Sequence, residues 1–164
     1  WAVLFWLNIL AVEGVSVETI LRRHWREFGR NYYARYDFEG VDKDAAEALM
    51  NALRDRIPSL RRRSFGPYEV ATCEDFHYID PVDKSESRRQ GIMLEFKGGS
   101  RVLYRLSGTG TVGATLRVYA ECHEPDPTKH DREARDVLHD LFELICQIGE
   151  VRERTGRQGP DVIV

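Results

Sequence analysis

The sequence predicts an α+β fold in which an antiparallel sheet of about four strands packs against helices. Residues 92–96 and 101–106 are apolar segments joined through a Gly-Gly turn, which is typical of a β-hairpin. Residues 68–79 and 114–121 add further strand-like segments that alternate or carry β-formers. The last long helix has a wide apolar stripe that can cover one face of the sheet, formed by Val137, Leu138, Leu141, Phe142, Leu144, Ile145 and Ile148.

The composition is that of an ordinary globular protein. The 164 residues include 24 Lys and Arg against 27 Asp and Glu, which gives a formal net charge of −3. This slightly acidic balance argues against a nucleic-acid binder, which usually carries a strongly basic patch. Cys73, Cys122 and Cys146 are odd in number and far apart, so we expect reduced thiols in a cytoplasmic protein.

The chain opens with an apolar segment, residues 1–11, that is interrupted only by Asn8. As a helix it would be about 16 Å long, roughly half the hydrocarbon core of a bilayer, so we expect no transmembrane span. It also lacks the basic flank and the small-residue cleavage site of a signal peptide. A helix that is apolar on nearly every face needs burial on every side. We therefore expect it to belong to a domain whose remainder lies outside this chain.

Two further helices are predicted before the sheet. Ser16 and Asp42 are good N-cap residues, and each precedes an apolar repeat of about 3.6 residues. The second of these helices should end just before Pro58. Between the two helices, residues 30–37 are aromatic and cationic, and we expect a compact connector there. A linker is expected near residues 59–67, where the composition changes.

The histidines give no metal-binding signal. None of the five is spaced like a metal ligand, so we expect each to be structural or at the surface: His24, His77, His123, His130 and His139. Asp80 and Asp83 are separated by Pro81, which favours a shaped turn over a pair of catalytic carboxylates.

One segment, residues 105–117, differs from the rest because glycines and hydroxyl residues lie between two arginines. Glycines let backbone N–H groups turn towards a ligand, and Ser107 and Thr109 add hydroxyl donors. Arg105 ends one predicted strand and Arg117 lies in the next, so both planar guanidinium groups can reach a phosphate at the loop between them. On spacing alone, a glycine-rich hairpin with two surface ion pairs is an equally good interpretation. The segment is neither a P-loop nor a dinucleotide fingerprint, because no Gly-Lys-Ser/Thr follows and it leads into a strand.

The string RLSGTGTVGATLRVY, residues 105–119, closely resembles the phosphate-binding loop in the last domain of the α-D-phosphohexomutases, in their phosphoglucomutase form. Gly110 stands where many phosphomannomutase-type relatives have glutamate, which favours the glucose-specific branch. The resemblance covers nearly the whole chain, in order, through Trp1-Ala2-Val3-Leu4, His24-Trp25, Arg35-Tyr36-Asp37, Asp80-Pro81-Val82-Asp83, Gln90-Gly91 and Glu153-Arg154-Thr155-Gly156-Arg157.

This resemblance implies a TATA-binding-protein-like α+β domain at residues 38–164, which binds phosphate. It implies that residues 1–37 are the end of a third mutase domain and an interdomain connector. The full-length enzyme would interconvert glucose 1-phosphate and glucose 6-phosphate through glucose 1,6-bisphosphate, with Mg²⁺. The family's serine, metal and sugar-recognition loops have no counterpart in this sequence. We therefore expect no catalytic residue or metal ligand in this chain, and no activity from the chain by itself.

The resemblance assigns the binding of the non-transferring phosphate to Arg105, Ser107, Gly108, Thr109 and Arg117. Arg35 resembles a family residue that faces the cleft between domains, but a structural ion pair with Asp37 is an equally good interpretation.

The expected partners are a phosphosugar substrate and the other mutase domains, with no nucleic acid or membrane. Phosphate or sulfate in the loop is the only ligand expected on this chain. The alternative function is that of a non-catalytic, parafusin-like paralogue with a binding or structural role. The intact arginines and hydroxyls of the loop favour the enzyme.

Overall fold

The computed structural model describes residues 1–107 and 113–164, which form two compact units. The helices of the described residues are α1 (Ala2–Glu13), α2 (Val17–Phe28), α3 (Lys43–Leu60), α4 (Ala134–Val137), α5 (His139–Gly149) and α6 (Val151–Thr155). The strands are β1 (Arg30–Val41), β2 (Ser64–Phe65), β3 (Tyr68–Ile79), β4 (Glu86–Phe96), β5 (Arg101–Ser107), β6 (Ala114–Glu124) and β7 (Val162–Ile163). A single 3₁₀ turn, Pro127–Lys129, precedes α4.

The first unit, residues 1–31 and 123–132, contains α1 and α2. Most of the large apolar side chains of α1 are exposed within this chain, with Phe5 at 68%. Helix α2 begins as predicted, because the Ser16 hydroxyl accepts a hydrogen bond from the Thr19 N–H at 3.2 Å. At its other end, the Arg30 guanidinium lies 4.4 Å from the centroid of the Trp25 ring.

Among the described residues, no single helix is both long enough and apolar enough to cross a bilayer. Helices α1 and α2 are long and apolar enough only when they are taken together, and the chain bends by 89° between them.

The second unit, residues 32–122 and 133–164, contains an antiparallel sheet in the order β2-β3-β4-β5-β6-β1-β7. The predicted α+β class is therefore confirmed, although the described residues form seven strands and not about four. The expected compact connector at residues 30–37 was wrong as regards secondary structure, because this segment belongs to strand β1. The assignment of residues 1–37 to the preceding domain and an interdomain connector stays a prediction. Because strand side chains alternate between two faces, Tyr32, Tyr36 and Phe38 share one face of β1, and all three are buried in the core.

The expected linker near residues 59–67 was also wrong, because this segment lies inside the second unit. Helix α3 continues through Pro58 to Leu60, whose side chain is fully buried. Burial of Leu60 in the core offsets the backbone hydrogen bond that a proline cannot donate. The predicted cap at the start of α3 is confirmed, since the Asp42 carboxylate accepts from the Ala45 N–H at 2.9 Å.

The chain ends in β7, which pairs with β1 and brings Val162 beside Asp37. Val164 and Arg35 exchange two backbone hydrogen bonds, of 2.8 and 3.0 Å. This short strand covers the edge of β1.

The core lies between one face of the sheet and the helices α3 and α5. Tyr104 points into this core and donates a hydrogen bond from its hydroxyl to the carbonyl of Ile145, at 2.8 Å. Because side chains alternate along a strand, the residue after Tyr104 points to the opposite face. We call that opposite face the outer face of the sheet, and it carries Arg105.

Candidate anion-binding site

Four positions form a transverse row across β1, β6, β5 and β4 on the outer face: Asp37, Arg117, Arg105 and Gly91. Arg105 and Arg117 are direct partners in the antiparallel pairing of β5 and β6. On one side of them, Asp37 Oδ2 lies 3.7 Å from Arg117 Nε. On the other side, a Cβ atom at Gly91 would lie 2.8 Å from Arg105 Cγ. The sheet therefore brings together the two arginines that the sequence predicted for the site.

The pairing of Arg105 with Arg117 is unfavourable by itself, because like charges directly opposite each other repel. Within residues 1–107 and 113–164, Arg105 has no ion-pair partner, and the buried Nε atom of Arg117 has no hydrogen-bond acceptor. Four residues further along the same two strands, Arg101 lies directly opposite Glu121 and forms an ion pair with it. The same face thus contains a balanced pair and an unbalanced pair.

Asp37 links a third arginine to the row. The Asp37 carboxylate accepts a hydrogen bond from Arg35 Nε at 2.8 Å, and Asp37 is only 3% exposed. This hydrogen bond raises the pKa of the Arg35 guanidinium. The predicted structural ion pair of Arg35 with Asp37 is therefore present. The role of Arg35 at a cleft between domains stays a prediction.

The described side chains of this cluster are three arginines, Arg35, Arg105 and Arg117, and one carboxylate, Asp37. Two of the three positive charges therefore have no compensating negative charge in the cluster. A phosphate monoester carries about −1.5 to −2 charges at pH 7. The cluster therefore has the charge that a phosphate group would balance.

The ends of the loop also lie beside the arginine pair. Ser107 and Thr115 are direct partners across β5 and β6, two residues closer to the loop than Arg105 and Arg117. Gly113 has a φ of +79°, and a Cβ atom there would lie 3.0 Å from the carbonyl oxygen of Val41. The loop thus returns to β6 close against the end of β1, in a backbone conformation that suits glycine.

Some of the predicted site lies beyond what the structure describes. The predicted residues Gly108 and Thr109 lie outside the described residues. Conversely, Thr115 and Asp37 border the site and were not predicted as part of it. Strand alternation counted back from Arg117 would have indicated Thr115. No local pattern links Asp37 to Arg117, because they are distant in sequence.

Other features of the described residues do not form a second site of this kind. No group of three His, Cys, Asp or Glu side chains in this part of the chain could hold a metal ion. An open groove of about 800 Å³ runs between β2 and helices α5 and α6, and its lining includes Tyr68, Cys146 and Arg152. None of the residues in the transverse row lines that groove.

These observations define a class of protein: an α+β domain whose antiparallel sheet presents paired arginines beside a glycine-rich loop. Residues 30–161 match the family described as phosphoglucomutase-1, C-terminal domain. The chain belongs to the phosphoglucomutase family.

Known relatives cover the whole chain. It is 49% identical over 163 residues to a phosphoglucomutase of Rhizobium radiobacter, a match that covers 99% of this chain and 30% of that protein. It is 43% identical over 169 residues to the human phosphoglucomutase-like protein 5, again covering 99% of this chain and 30% of that protein.

The fold is similar to a solved structure of the exocytosis-sensitive phosphoprotein pp63/parafusin, a phosphoglucomutase of Paramecium, in its open form. The TM-score is 0.86 at 39% identity, and the match covers 100% of this chain and 29% of that one. The chain thus spans about 30% of the length of the relatives it matches.

Proposed function

We propose that this chain is the phosphate-binding C-terminal part of a phosphoglucomutase that interconverts glucose 1-phosphate and glucose 6-phosphate through glucose 1,6-bisphosphate. In this proposal residues 38–164 are the phosphate-binding domain, and residues 1–37 are the end of the preceding domain and a connector. Arg105, Ser107, Gly108, Thr109 and Arg117 hold the phosphate that is not being transferred.

The observation that carries this proposal is the direct opposition of Arg105 and Arg117 next to the glycine-rich loop. Two planar guanidinium groups on adjacent strands can each donate paired hydrogen bonds to phosphate oxygens. The hydroxyl groups of Ser107 and Thr115 border the same loop, and they can donate further hydrogen bonds. A bound dianion would also remove the repulsion between the two arginines.

Holding the distal phosphate contributes to catalysis because binding energy far from the reacting atoms orients the reacting end of the sugar. In the proposed enzyme, the phosphoserine, the Mg²⁺ ligands and the sugar-recognition residues belong to parts of the protein outside this chain. Mg²⁺ would polarise the transferring phosphate there. The chain's own residues bind and orient the other phosphate.

A titration with inorganic phosphate tests the proposal directly. In ¹H–¹⁵N spectra of the 164-residue chain, we expect saturable shifts at the arginine Nε–Hε signals of Arg105 and Arg117. Arg117→Ala should abolish the saturable shifts. Arg101→Ala is the matched control, because Arg101 lies on the same face of β5 but is already paired with Glu121. The proposal is wrong if phosphate causes no saturable shift, or if Arg101→Ala removes the shifts equally.

The alternative is a non-catalytic, parafusin-like paralogue with a binding or structural role. The similarity to the solved structure of the exocytosis-sensitive phosphoprotein pp63/parafusin supports it. The two functions differ in turnover: a full-length protein carrying this chain should convert glucose 1-phosphate only if the first function is correct. We also propose a cytoplasmic location and no nucleic-acid or membrane partner.

A further inference from the structure

We infer that Asp37 is a positioning residue, which holds the guanidinium group of Arg117 in the orientation that binds phosphate. This inference rests on the proposed function, because it concerns the same phosphate site.

The contacts of Asp37 occupy one edge of each neighbouring guanidinium group. Arg35 and Arg117 both approach the carboxylate through Nε, at 2.8 and 3.7 Å respectively. A guanidinium group has five N–H donors in a rigid planar fork, of which Nε carries one. The four donors on the terminal nitrogens of Arg117 take no part in this contact. They stay free for a second, bidentate acceptor such as phosphate.

The Asp37 carboxylate is shielded from solvent, and a phosphate ligand would approach from the solvent side. The Asp37 side chain is 4% exposed, whereas the Arg35 and Arg117 side chains are 32% and 37% exposed. A ligand approaching the outer face therefore meets the arginines and not the carboxylate. Asp37 can hold Arg117 without competing for the anion.

The backbone of Asp37 is itself fixed by its neighbours. Its carbonyl oxygen accepts a hydrogen bond from the Asp161 N–H at 2.8 Å, and Asp37 pairs with Val162 in the register of β1 and β7. The residues before and after it, Tyr36 and Phe38, are buried in the core. The carboxylate is thus attached to a rigid part of the sheet, as a positioning group must be.

Positioning and simple electrostatics predict opposite effects when the charge of Asp37 is removed. A negative charge close to Arg117 lowers the attraction of the site for anions, so electrostatics alone predicts tighter phosphate binding after neutralisation. If Asp37 orients Arg117, neutralisation frees the guanidinium group and phosphate binding weakens. The direction of the change therefore decides between the two.

The test is Asp37→Asn, which keeps the shape of the side chain and removes its charge, in the same phosphate titration of the 164-residue chain. We expect phosphate affinity to fall about fivefold to tenfold, because the guanidinium group of Arg117 loses the charged neighbour that orients it. The Arg117 Nε–Hε signal should move in the free protein, which a purely structural role elsewhere in the sheet would not cause. Glu121→Gln is the matched control: it removes the same charge from the same face, and phosphate affinity should stay equal or rise slightly.

Unchanged or tighter phosphate binding by a folded Asp37→Asn variant would overturn the inference. If this variant fails to fold, Asp37→Glu decides, because it keeps the charge but displaces the carboxylate; affinity equal to that of the unmodified chain would then overturn the inference. The proposed function fails separately. If the unmodified chain binds no phosphate, both proposals fall, whereas weaker binding by Arg117→Lys with normal binding by Asp37→Asn refutes only the role of Asp37.

Discussion

Arg105 and Arg117 face each other directly across strands β5 and β6, although both side chains are positively charged. Such a pair lowers stability by roughly 0.2–1 kcal/mol relative to a neutral pair. Nearby, Arg101 faces Glu121, so this sheet also contains the favourable arrangement. An arrangement that costs stability in the free protein is expected where it serves a ligand.

The first prediction concerns the shape of Arg117. Arg117→Lys keeps the positive charge but replaces a planar fork with a single ammonium group. In the full-length enzyme that we propose, kcat/KM should fall about 10–100-fold, or about 1.4–2.8 kcal/mol, because the substrate is oriented less well. Steady-state kinetics with glucose 1-phosphate and a thermal melting curve measure the two effects. An unchanged kcat/KM would contradict the assignment of Arg117 to the phosphate.

The second prediction separates ligand binding from stability at Arg105. Arg105→Gln removes the repulsion with Arg117, so the free energy of unfolding without phosphate should rise by about 0.2–1 kcal/mol. Phosphate binding should weaken at the same time. Arg101→Gln is the control, because it loses the ion pair with Glu121 and should be neutral or slightly destabilising, by up to about 1 kcal/mol. Urea unfolding of both variants in phosphate-free buffer measures the difference, and destabilisation by Arg105→Gln would refute the prediction.

The third prediction concerns Gly91, at the other end of the transverse row. A Cβ atom there would lie 2.6 Å from the Tyr104 carbonyl oxygen and 2.8 Å from Arg105 Cγ. Gly91→Ala should therefore push β4 and β5 apart, lower the free energy of unfolding by about 1–3 kcal/mol and weaken phosphate binding. Gly159→Ala is the matched control, since a Cβ atom at Gly159 has no described atom within 4 Å. Equal effects of the two variants would show that Arg105 does not depend on Gly91.

The fourth prediction concerns two buried thiols. Burial raises the pKa of Cys73 and the pKa of Cys146 to about 11. At pH 8 only about one thiol in a thousand is then ionised, so iodoacetamide should modify both residues slowly in the native chain and rapidly in urea. Peptide mass spectrometry gives the two rates, with the half-buried Cys122 as an internal reference. Similar rates in buffer and in urea would contradict burial.

The same pKa shifts imply a pH dependence of stability. The thiols of the unfolded chain lose their protons near pH 8.5–9, whereas the native thiols keep theirs to about pH 11. Between these values the unfolded state binds fewer protons, so these two groups make the native state less stable as the pH rises. Below about pH 8.5 both thiols are protonated in both states, so their full contribution to the free energy of unfolding is present there.

Local patterns predicted the fold class and the two arginines that the sheet brings together. The Gly-Gly hairpin, the caps at Ser16 and Asp42 and the strands that carry Arg105 and Arg117 all depend on residues close in sequence. Strand β1 was missed because its aromatic and cationic residues lie between two helices and were interpreted as a connector. Strand β7 has only two residues, Val162–Ile163, too few to show a period. The contact of Asp37 with Arg117 depends on the order of strands, which no local pattern specifies.

Strand β7 covers part of a sheet edge that would otherwise be open to another molecule. It supplies backbone partners to the strand that holds Arg35 and Asp37, and the exchange of hydrogen bonds between Val164 and Arg35 continues this pairing. An edge strand without such a cover is a template for a strand of another molecule. Removal of residues 162–164 would therefore leave β1 open to intermolecular pairing beside Asp37.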